Sequence, residues 1–252
     1  MMKESGILFG APMVMAILRE ENPKRMTRRG AAFKPLAEGL NLGFTGLVAN
    51  EVRPGWWVLS SRGAGGCWEE RTEQLRCPYG QIGDRLYVRE AWRSEAGLDA
   101  LSGSEMADRC IDAGYRLPWA PIQYEADGDR RDWQHVGTPP HDGPPRPGRY
   151  RHARFMPRWA SRILLEIVRV RVERLQAISE VDAIAEGIGK TSSGLWSTYG
   201  QRSSDGTPSA RASFHALWDS INGPADWAKN PWVWVVEFKP VTASQEGHDA
   251  HH

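Results

Sequence analysis

The segment from Arg162 to Arg174 (RILLEIVRVRVER) alternates apolar and charged side chains over thirteen positions. A two-residue period places successive side chains on opposite faces, so this pattern predicts a β-strand and argues against a helix. The alternation changes parity between Ile167 and Val168, and one inserted residue is needed to keep both apolar sets on one face. The sequence therefore predicts a long strand with a bulge or strong bend at this point.

Two other segments show the same period. Asp84–Trp92 (DRLYVREAW) alternates apolar and charged residues, and Trp232–Val241 (WVWVVEFKPV) places its large aromatic side chains on one face. A shorter apolar run, Ile122–Ala126, ends at the turn pair Asp127 and Gly128. We expect the three long segments to be the main strands of a barrel.

Three segments carry helix signals instead. Pro12 suits a first helical turn, and apolar residues then recur at helical spacing as far as Ile17. Ser179 is placed to cap a helix over Glu180–Gly187, and Ala210–Asn222 is amphipathic. Because strands dominate and no regular strand–helix alternation appears, the sequence predicts an α+β fold and argues against a Rossmann-like sheet.

The composition is globular, with an unusual aromatic content. Of 252 residues, 40% are hydrophobic and 25% are charged, which allows a packed core. Twelve Trp are too many to leave in solvent, so we expect many of them in the core or lining a cleft. The formal net charge of +1 argues against a chain that binds polyanions over its whole surface.

The three cysteines, Cys67, Cys77 and Cys110, have neither the number nor the spacing of a disulfide framework or a zinc site. The sequence shows no apolar targeting segment and no run long enough to span a membrane. We therefore expect a cytoplasmic protein with free thiols, no metal, no other cofactor and no membrane partner.

Two catalytic motifs are excluded. Gly189-Lys190-Thr191 resembles the end of a P-loop, but Ile184 stands where that motif needs glycine, and the segment follows a predicted helix. The seven histidines include none in a recognisable triad context with Ser or Cys. The sequence therefore argues against a P-loop nucleotide site and against a triad hydrolase.

Positive charge is concentrated in two stretches. Arg19–Lys34 has six cations against two Glu, and Arg146–Arg174 has nine Arg against two Glu. Local fields of this kind suit phosphate or carboxylate partners. Solvated, Arg-rich surfaces have the same composition, so both interpretations stay open.

Lys24, Thr27 and Glu186 are candidates for chemistry. A Thr hydroxyl becomes a useful nucleophile when a neighbouring base or cation changes its proton affinity. A Lys whose pKa is lowered by Arg28 and Arg29 can play that part, and a carboxylate at the end of the predicted Glu180–Gly187 helix can move the proton.

Five short motifs, in this order, resemble phage- and prophage-type proteins with an ASCH domain, which belongs to the PUA-like fold. They are KRMTRR, GDRLYVREAW, MPRWASRI, ISEVDAIAEGI and WVWVVEF. The resemblance implies a mostly antiparallel β-barrel with a few flanking helices. It implies one domain over residues 1–241, with insertions near residues 41–80, 94–150 and 190–209, followed by a disordered tail at 242–252.

The chain is similar in particular to the bacterial ASCH enzyme that hydrolyses N4-acetylcytidine. That resemblance implies Thr27 as nucleophile, Lys24 as its activator and Glu186 as general acid and base. It differs where Arg25 and Met26 replace Thr and Ile of the small enzyme. We expect the nucleoside to be bound by Arg29, Arg89, Tyr87 and Trp92, and a nucleic-acid strand to be contacted by Arg28, Arg158, Arg169 and Arg171.

Four functions follow from this resemblance and stay open. The first is amide hydrolysis on an N4-acylated cytosine. The second is a non-catalytic module that reads RNA, single-stranded DNA or a modified base. The third is a metal-independent ribonuclease, and the fourth is an interaction protein that a phage uses against a host factor.

Overall fold

The computed structural model describes residues 2–134, 145–197 and 206–241. The chain divides into two compact units. The first unit is built mainly from Arg19–Arg85 and Glu166–Lys239, and the second mainly from Glu4–Leu18 and Leu86–Leu165. The prediction of one domain with insertions stays a prediction.

Within the described residues the chain forms twelve strands and four α-helices, together with short 3-10 turns. The strands are β1 (Glu4–Leu8), β2 (Met26–Gly30), β3 (Val48–Arg53), β4 (Trp56–Arg62), β5 (Trp68–Glu70), β6 (Leu75–Arg76), β7 (Arg85–Arg89), β8 (Trp92–Ser94), β9 (Ile122–Tyr124), β10 (Arg130–Arg131), β11 (Leu164–Arg174) and β12 (Trp232–Pro240). The helices are α1 (Ala11–Leu18), α2 (Gly103–Asp112), α3 (Glu180–Ala185) and α4 (Ala210–Asn222).

In the first unit, β12 lies between β11 and β2, and it pairs antiparallel with β2. The register sets Val236 opposite Thr27 and Val235 opposite Arg28. A second sheet has the order β3-β4-β5, with β6 also paired to β4. The pairing with β12 holds the short strand β2 in place, and β2 supplies Thr27, Arg28 and Arg29 to the candidate site.

The core of the first unit is aromatic. Trp57 and Trp234 are buried and meet edge to face with ring centroids 6.4 Å apart, and Phe33 packs on Trp234 at 6.2 Å. Edge-to-face rings add stability beyond the area that they bury. Five successive residues of β12 are buried, from Trp232 to Val236, so this strand is covered on both faces.

In the second unit, β1 is the neighbour of β7, and β8, β9 and β10 form a three-stranded sheet in the order β10-β9-β8. Its core contains Trp92, Ile122, Tyr124 and Met156, each at most 1% exposed. Helix α2 begins at a capping box, in which Ser102 and Glu105 satisfy each other's backbone N–H groups.

A group of paired charges lies in this unit. Arg162 binds the buried Glu90 at 2.9 Å and Asp127 at 2.8 Å, and its guanidinium lies 4.1 Å from the centroid of the Tyr124 ring. Burial raises the pKa of Glu90, and the positive charge of Arg162 offsets part of that rise. Burial also raises the pKa of Tyr124, to about 12. The group ties the β9–β10 turn to the end of β7.

The α+β class is confirmed, with strands in mixed sheets and few helices. Helix α4 has the predicted bounds, and the predicted strand Asp84–Trp92 is interrupted, ending as β7 and resuming as β8. In β11 the buried side changes parity between Ile167 and Val172, but Val168 is 40% exposed and does not face inward as predicted. The closed barrel stays a prediction.

Part of the predicted insertion near residues 94–150 and the whole predicted tail at 242–252 lie outside the described residues. In the part of the chain that the structure describes, no helix is both long and apolar enough to cross a bilayer.

The burial of Trp92 generates a stability prediction. Trp92→Ala removes a fully buried indole, so we expect the free energy of unfolding to fall by about 3–5 kcal/mol. The matched control is Trp68→Ala, since Trp68 is 55% exposed, and it should cost less than about 1 kcal/mol. Urea denaturation measures both, and equal losses would contradict the assignment of Trp92 to the core.

Candidate functional site

The site is formed where the residues before β2 meet the end of α3. The N–H of Arg25 donates to the carbonyl of Ala185 at 2.8 Å, and the N–H of Phe238 donates to the carbonyl of Arg25 at 2.9 Å. Helix α3 is capped at its N-terminus by Ser179, whose hydroxyl accepts from the N–H of Asp182, and Glu186 is the capping residue at its C-terminus. These backbone bonds set Lys24 beside Glu186.

Lys24 and Glu186 form a buried ion pair. The Nζ of Lys24 lies 2.7 Å from the Oε2 of Glu186 and donates to the Glu186 carbonyl at 2.6 Å. The two side chains are 1% and 3% exposed. Burial lowers the pKa of Lys24, which Glu186 opposes, and the positive charges of Arg29 and Arg28 lower it further. Lys24 is therefore closer to neutral than an exposed lysine.

Thr27 belongs to the same cluster through Arg29. The Oγ1 of Thr27, a fully buried residue, accepts a hydrogen bond from Nη1 of Arg29 at 2.6 Å. The positive charge of Arg29 also lowers the pKa of Lys24. Burial raises the pKa of Tyr79, and Arg29 offsets part of that rise. The Arg29 guanidinium is thus placed to stabilise negative charge that develops on the Thr27 oxygen.

Arg28 forms the other side of the cluster. Its guanidinium contacts Glu186 at 3.3 Å, Glu173 at 2.5 Å and Asp182 at 2.7 Å. Arg171 binds the same Glu173 and Asp182, at 3.0 and 2.8 Å, and it also pairs with Glu237. The cluster thus combines four cations, Lys24, Arg28, Arg29 and Arg171, with four carboxylates, Glu173, Asp182, Glu186 and Glu237.

This arrangement suits proton transfer next to a nucleophile. An amine with a lowered pKa is in direct contact with a carboxylate, and a hydroxyl in the same cluster is bonded to a guanidinium. The described residues include no group of three His, Cys, Asp or Glu side chains with the geometry of a metal site. The cluster brings Lys24 into contact with Glu186, and it connects Thr27 to them through Arg29.

The other residues predicted to bind a nucleoside lie elsewhere. Tyr87, Arg89 and Trp92 belong to the second unit, whereas Arg29 belongs to the cluster in the first. Trp92 is fully buried in a core, so its ring faces are covered and the prediction that it stacks on a base does not fit its position. Tyr87 and Arg89 line a separate cleft of the second unit.

The four arginines predicted to contact a nucleic-acid strand differ in exposure. The guanidinium of Arg28 is buried among carboxylates, so it does not offer its charge to a phosphate. Arg171 is 19% exposed and paired, and Arg158 binds Glu4 at 2.6 Å. Arg169 is 63% exposed and lies 3.7 Å from Glu237. Of this set, Arg169 most resembles the predicted surface charge.

The motifs did not single out Glu173, Asp182 and Tyr79. Asp182 has the helix-capping spacing from Ser179, and Glu173 alternates with Arg171 in β11, so local patterns explain both without any site. Tyr79 lies in the Cys77-Pro78-Tyr79-Gly80 stretch, which has the composition of a loop. Arg28 is buried, and a buried guanidinium needs several acceptors, which Glu173 and Asp182 supply. The sequence does not show that Arg28 is buried, so it gave no reason to select these two acids.

No protein-family model matches the chain, and the searches of curated proteins and of solved structures also find no match.

The lowered pKa of Lys24 predicts a pH dependence of stability. Between that lowered value and the ordinary 10.5, the unfolded chain holds a proton that the folded chain has released. The free energy of unfolding of the wild type should therefore rise with pH relative to Lys24→Met, by at most about 1.4 kcal/mol per pH unit. Urea denaturation from about pH 7 to about pH 10 measures this slope.

Lys34→Met is the matched control, because Lys34 is exposed, and it should keep the wild-type slope. A wild-type curve parallel to that of Lys24→Met at every pH would contradict the lowered pKa.

Proposed function

We propose that this protein is an ASCH-type member of the PUA-like superfamily, that it binds a nucleobase or nucleoside, and that it hydrolyses the amide of an N4-acylated cytosine. The observation that carries the proposal is the buried contact of 2.7 Å between Lys24 Nζ and Glu186 Oε2, two residues that are 162 positions apart. A buried amine and a buried carboxylate are costly to maintain for stability alone. Thr27 lies in the same cluster, which adds the nucleophile that the reaction needs.

The proposed reaction has two halves. Thr27 Oγ1 attacks the carbonyl carbon of the acyl group, and the neutral amine of Lys24 takes the hydroxyl proton. Glu186 relays that proton to N4 of the cytosine, the C–N bond breaks, and the free amino group leaves. Water then attacks the acyl ester on Thr27, its proton passes through the same pair, and the carboxylic acid is released as Thr27 regains its proton.

Arg29 and Tyr79 have proposed roles around this reaction. The guanidinium of Arg29 already donates to Thr27 Oγ1, and it stabilises the negative charge that develops on that oxygen during attack. Tyr79 is half-buried; burial raises the pKa of its hydroxyl, and the positive charge of Arg29 offsets part of that rise. We assign Tyr79 as the aromatic that stacks on the base, in the place expected for Trp92.

A second candidate is a non-catalytic reader of a nucleoside, and one observation favours it. Thr27 is fully buried, and two acceptors of Glu186 already bind the Lys24 amine. An amine held in this way can serve as a structural cation, with the ligand bound beside Tyr79 and Arg29. The two candidates share a ligand class and differ in turnover.

The test is turnover of N4-acetylcytidine to cytidine and acetate, followed by chromatography. Thr27→Val keeps the shape of the side chain but removes the hydroxyl, and we expect the rate to fall by about 10³-fold or more. Thr27→Ser is the matched control, because it keeps the hydroxyl, and it should retain measurable activity. Glu186→Gln cannot carry the proton, so kcat should fall by about 10²-fold or more.

Equal turnover by Thr27→Val and Thr27→Ser would remove Thr27 as nucleophile. If the wild type makes no cytidine but binds the nucleoside, and Tyr79→Ala weakens that binding, the reader is the better assignment. A wild type that neither turns over nor binds the nucleoside would reject both candidates.

A further inference from the structure

The second unit has a cleft of about 720 Å³, and none of its lining residues belongs to the cluster around Lys24. Three parts of the chain line it: Tyr87 and Arg89 of β7, the first turn of α2 at residues 102–104, and the segment of residues 149–157. Its volume lies in the range of about 300–1,000 Å³ that is typical of ligand sites. The cleft is large enough to hold part of a polymer.

The walls hold the segments close together. A Cβ atom on Gly103 would lie 2.9 Å from Cδ of Pro157, so only glycine lets the start of α2 approach that proline without a shift. The indole N–H of Trp159 donates to the Gly103 carbonyl at 3.2 Å, and Nε of Arg89 donates to the Met156 carbonyl at 3.1 Å. The lining is therefore positioned by packing and hydrogen bonds.

The charge of the lining has one sign. Four arginines and one histidine line the cleft, and none of the described lining residues carries a carboxylate; the basic residues are Arg89, Arg149, Arg151, Arg154 and His152. Among the described residues, Arg154 forms no ion pair. The nearest acid at Arg151 is Asp99, at 4.0 Å, and it does not line the cleft. This contrasts with the cluster around Lys24, where carboxylates balance the cations.

Arg151 is the buried member of this group of cations. Its side chain is 6% exposed, and its Nη1 and Nη2 donate to the carbonyls of Leu101 and Leu98 at 2.7 and 3.0 Å. Its Nε is buried without a hydrogen-bond partner in the described part of the chain. Burying a guanidinium whose donors are only partly satisfied is costly, and an anion in the cleft offsets part of that cost.

Aromatic side chains lie among the arginines. Tyr150 is 53% exposed and Phe155 is 60% exposed, and the guanidinium of Arg154 lies 4.9 Å from the centroid of the Phe155 ring. Exposed aromatic rings next to arginines provide faces on which unpaired bases stack, while the cations neutralise the phosphates. An acidic peptide would use the cations and leave the ring faces without a partner.

We infer that this cleft binds single-stranded nucleic acid, with phosphates on the exposed Arg149 and Arg154, the buried charge of Arg151 behind them, and bases on Tyr150 and Phe155. Bases in a duplex are already stacked on each other, which is why the exposed rings favour a single strand. The inference goes beyond the proposed function and holds whether or not Lys24 and Thr27 are catalytic, since none of the cluster's residues lines this cleft.

The test measures binding of fluorescein-labelled oligouridylate and oligothymidylate to the full chain by polarisation over a salt series. We expect the double variant Arg149→Glu with Arg154→Glu to bind at least tenfold more weakly. Its slope of log affinity against log salt should also become shallower, by about 0.7 for each phosphate that the variant leaves without a cation. The matched control reverses Arg116 and Arg130, which are exposed and outside the cleft, and it should stay near wild-type affinity.

A second double variant, Tyr150→Ala with Phe155→Ala, tests the stacking. Both rings are largely exposed, so the fold should survive, and affinity should fall by about fivefold or more. Wild-type protein that binds neither oligonucleotide would overturn the inference, as would equal weakening by the two charge reversals. Unchanged binding by the aromatic variant, with loss on charge reversal, would show a surface that attracts any polyanion and would overturn the assignment to nucleic acid.

Discussion

The contact between Lys24 and Glu186 organises the part of the first unit in which the candidate chemistry lies. Both charges are almost fully removed from water, so each needs the other and further partners to be tolerated. Glu186 takes a second cation, Arg28, which in turn draws in Glu173 and Asp182. Removing one member of a buried pair leaves the other charge unpaired, at a cost of about 3–5 kcal/mol. The loss of one charged side chain is therefore expected to destabilise the other members of the network.

The same burial that costs stability also provides reactivity. Desolvation lowers the pKa of Lys24 more than the adjacent carboxylate raises it, and the neighbouring Arg28 and Arg29 add to the effect. A lysine with a lowered pKa is present as the free amine, the form that can accept a proton, to a greater extent than an exposed lysine. A cluster built only for stability would gain more from apolar side chains of the same volume. This comparison is the physical reason for seeking chemistry at Thr27.

The two units present opposite electrostatic environments. The cluster of the first unit is largely buried and balanced, and its Arg28 and Arg171 are paired with carboxylates. The cleft of the second unit is open, and its lining carries arginines without acids. Balanced, dry clusters favour precise proton transfer on a small molecule, whereas unbalanced, wet clefts attract extended anions. A protein that acts on nucleosides or on strands that contain them can use both.

Local patterns were sufficient for two of the long elements: the alternation in Arg162–Arg174 predicted β11, and the apolar stripe of Ala210–Asn222 predicted α4 with its observed bounds. Motif order was also sufficient to put Lys24, Thr27 and Glu186 together as candidates. Only the tertiary structure decided that Trp92 is core and that Arg28 faces three carboxylates instead of solvent. The reason is the sequence separation of the contacts that matter. Periodicity shows only on which face of its own strand or helix a side chain lies. Burial and pairing are instead set by strands and helices that pack from more than a hundred residues away.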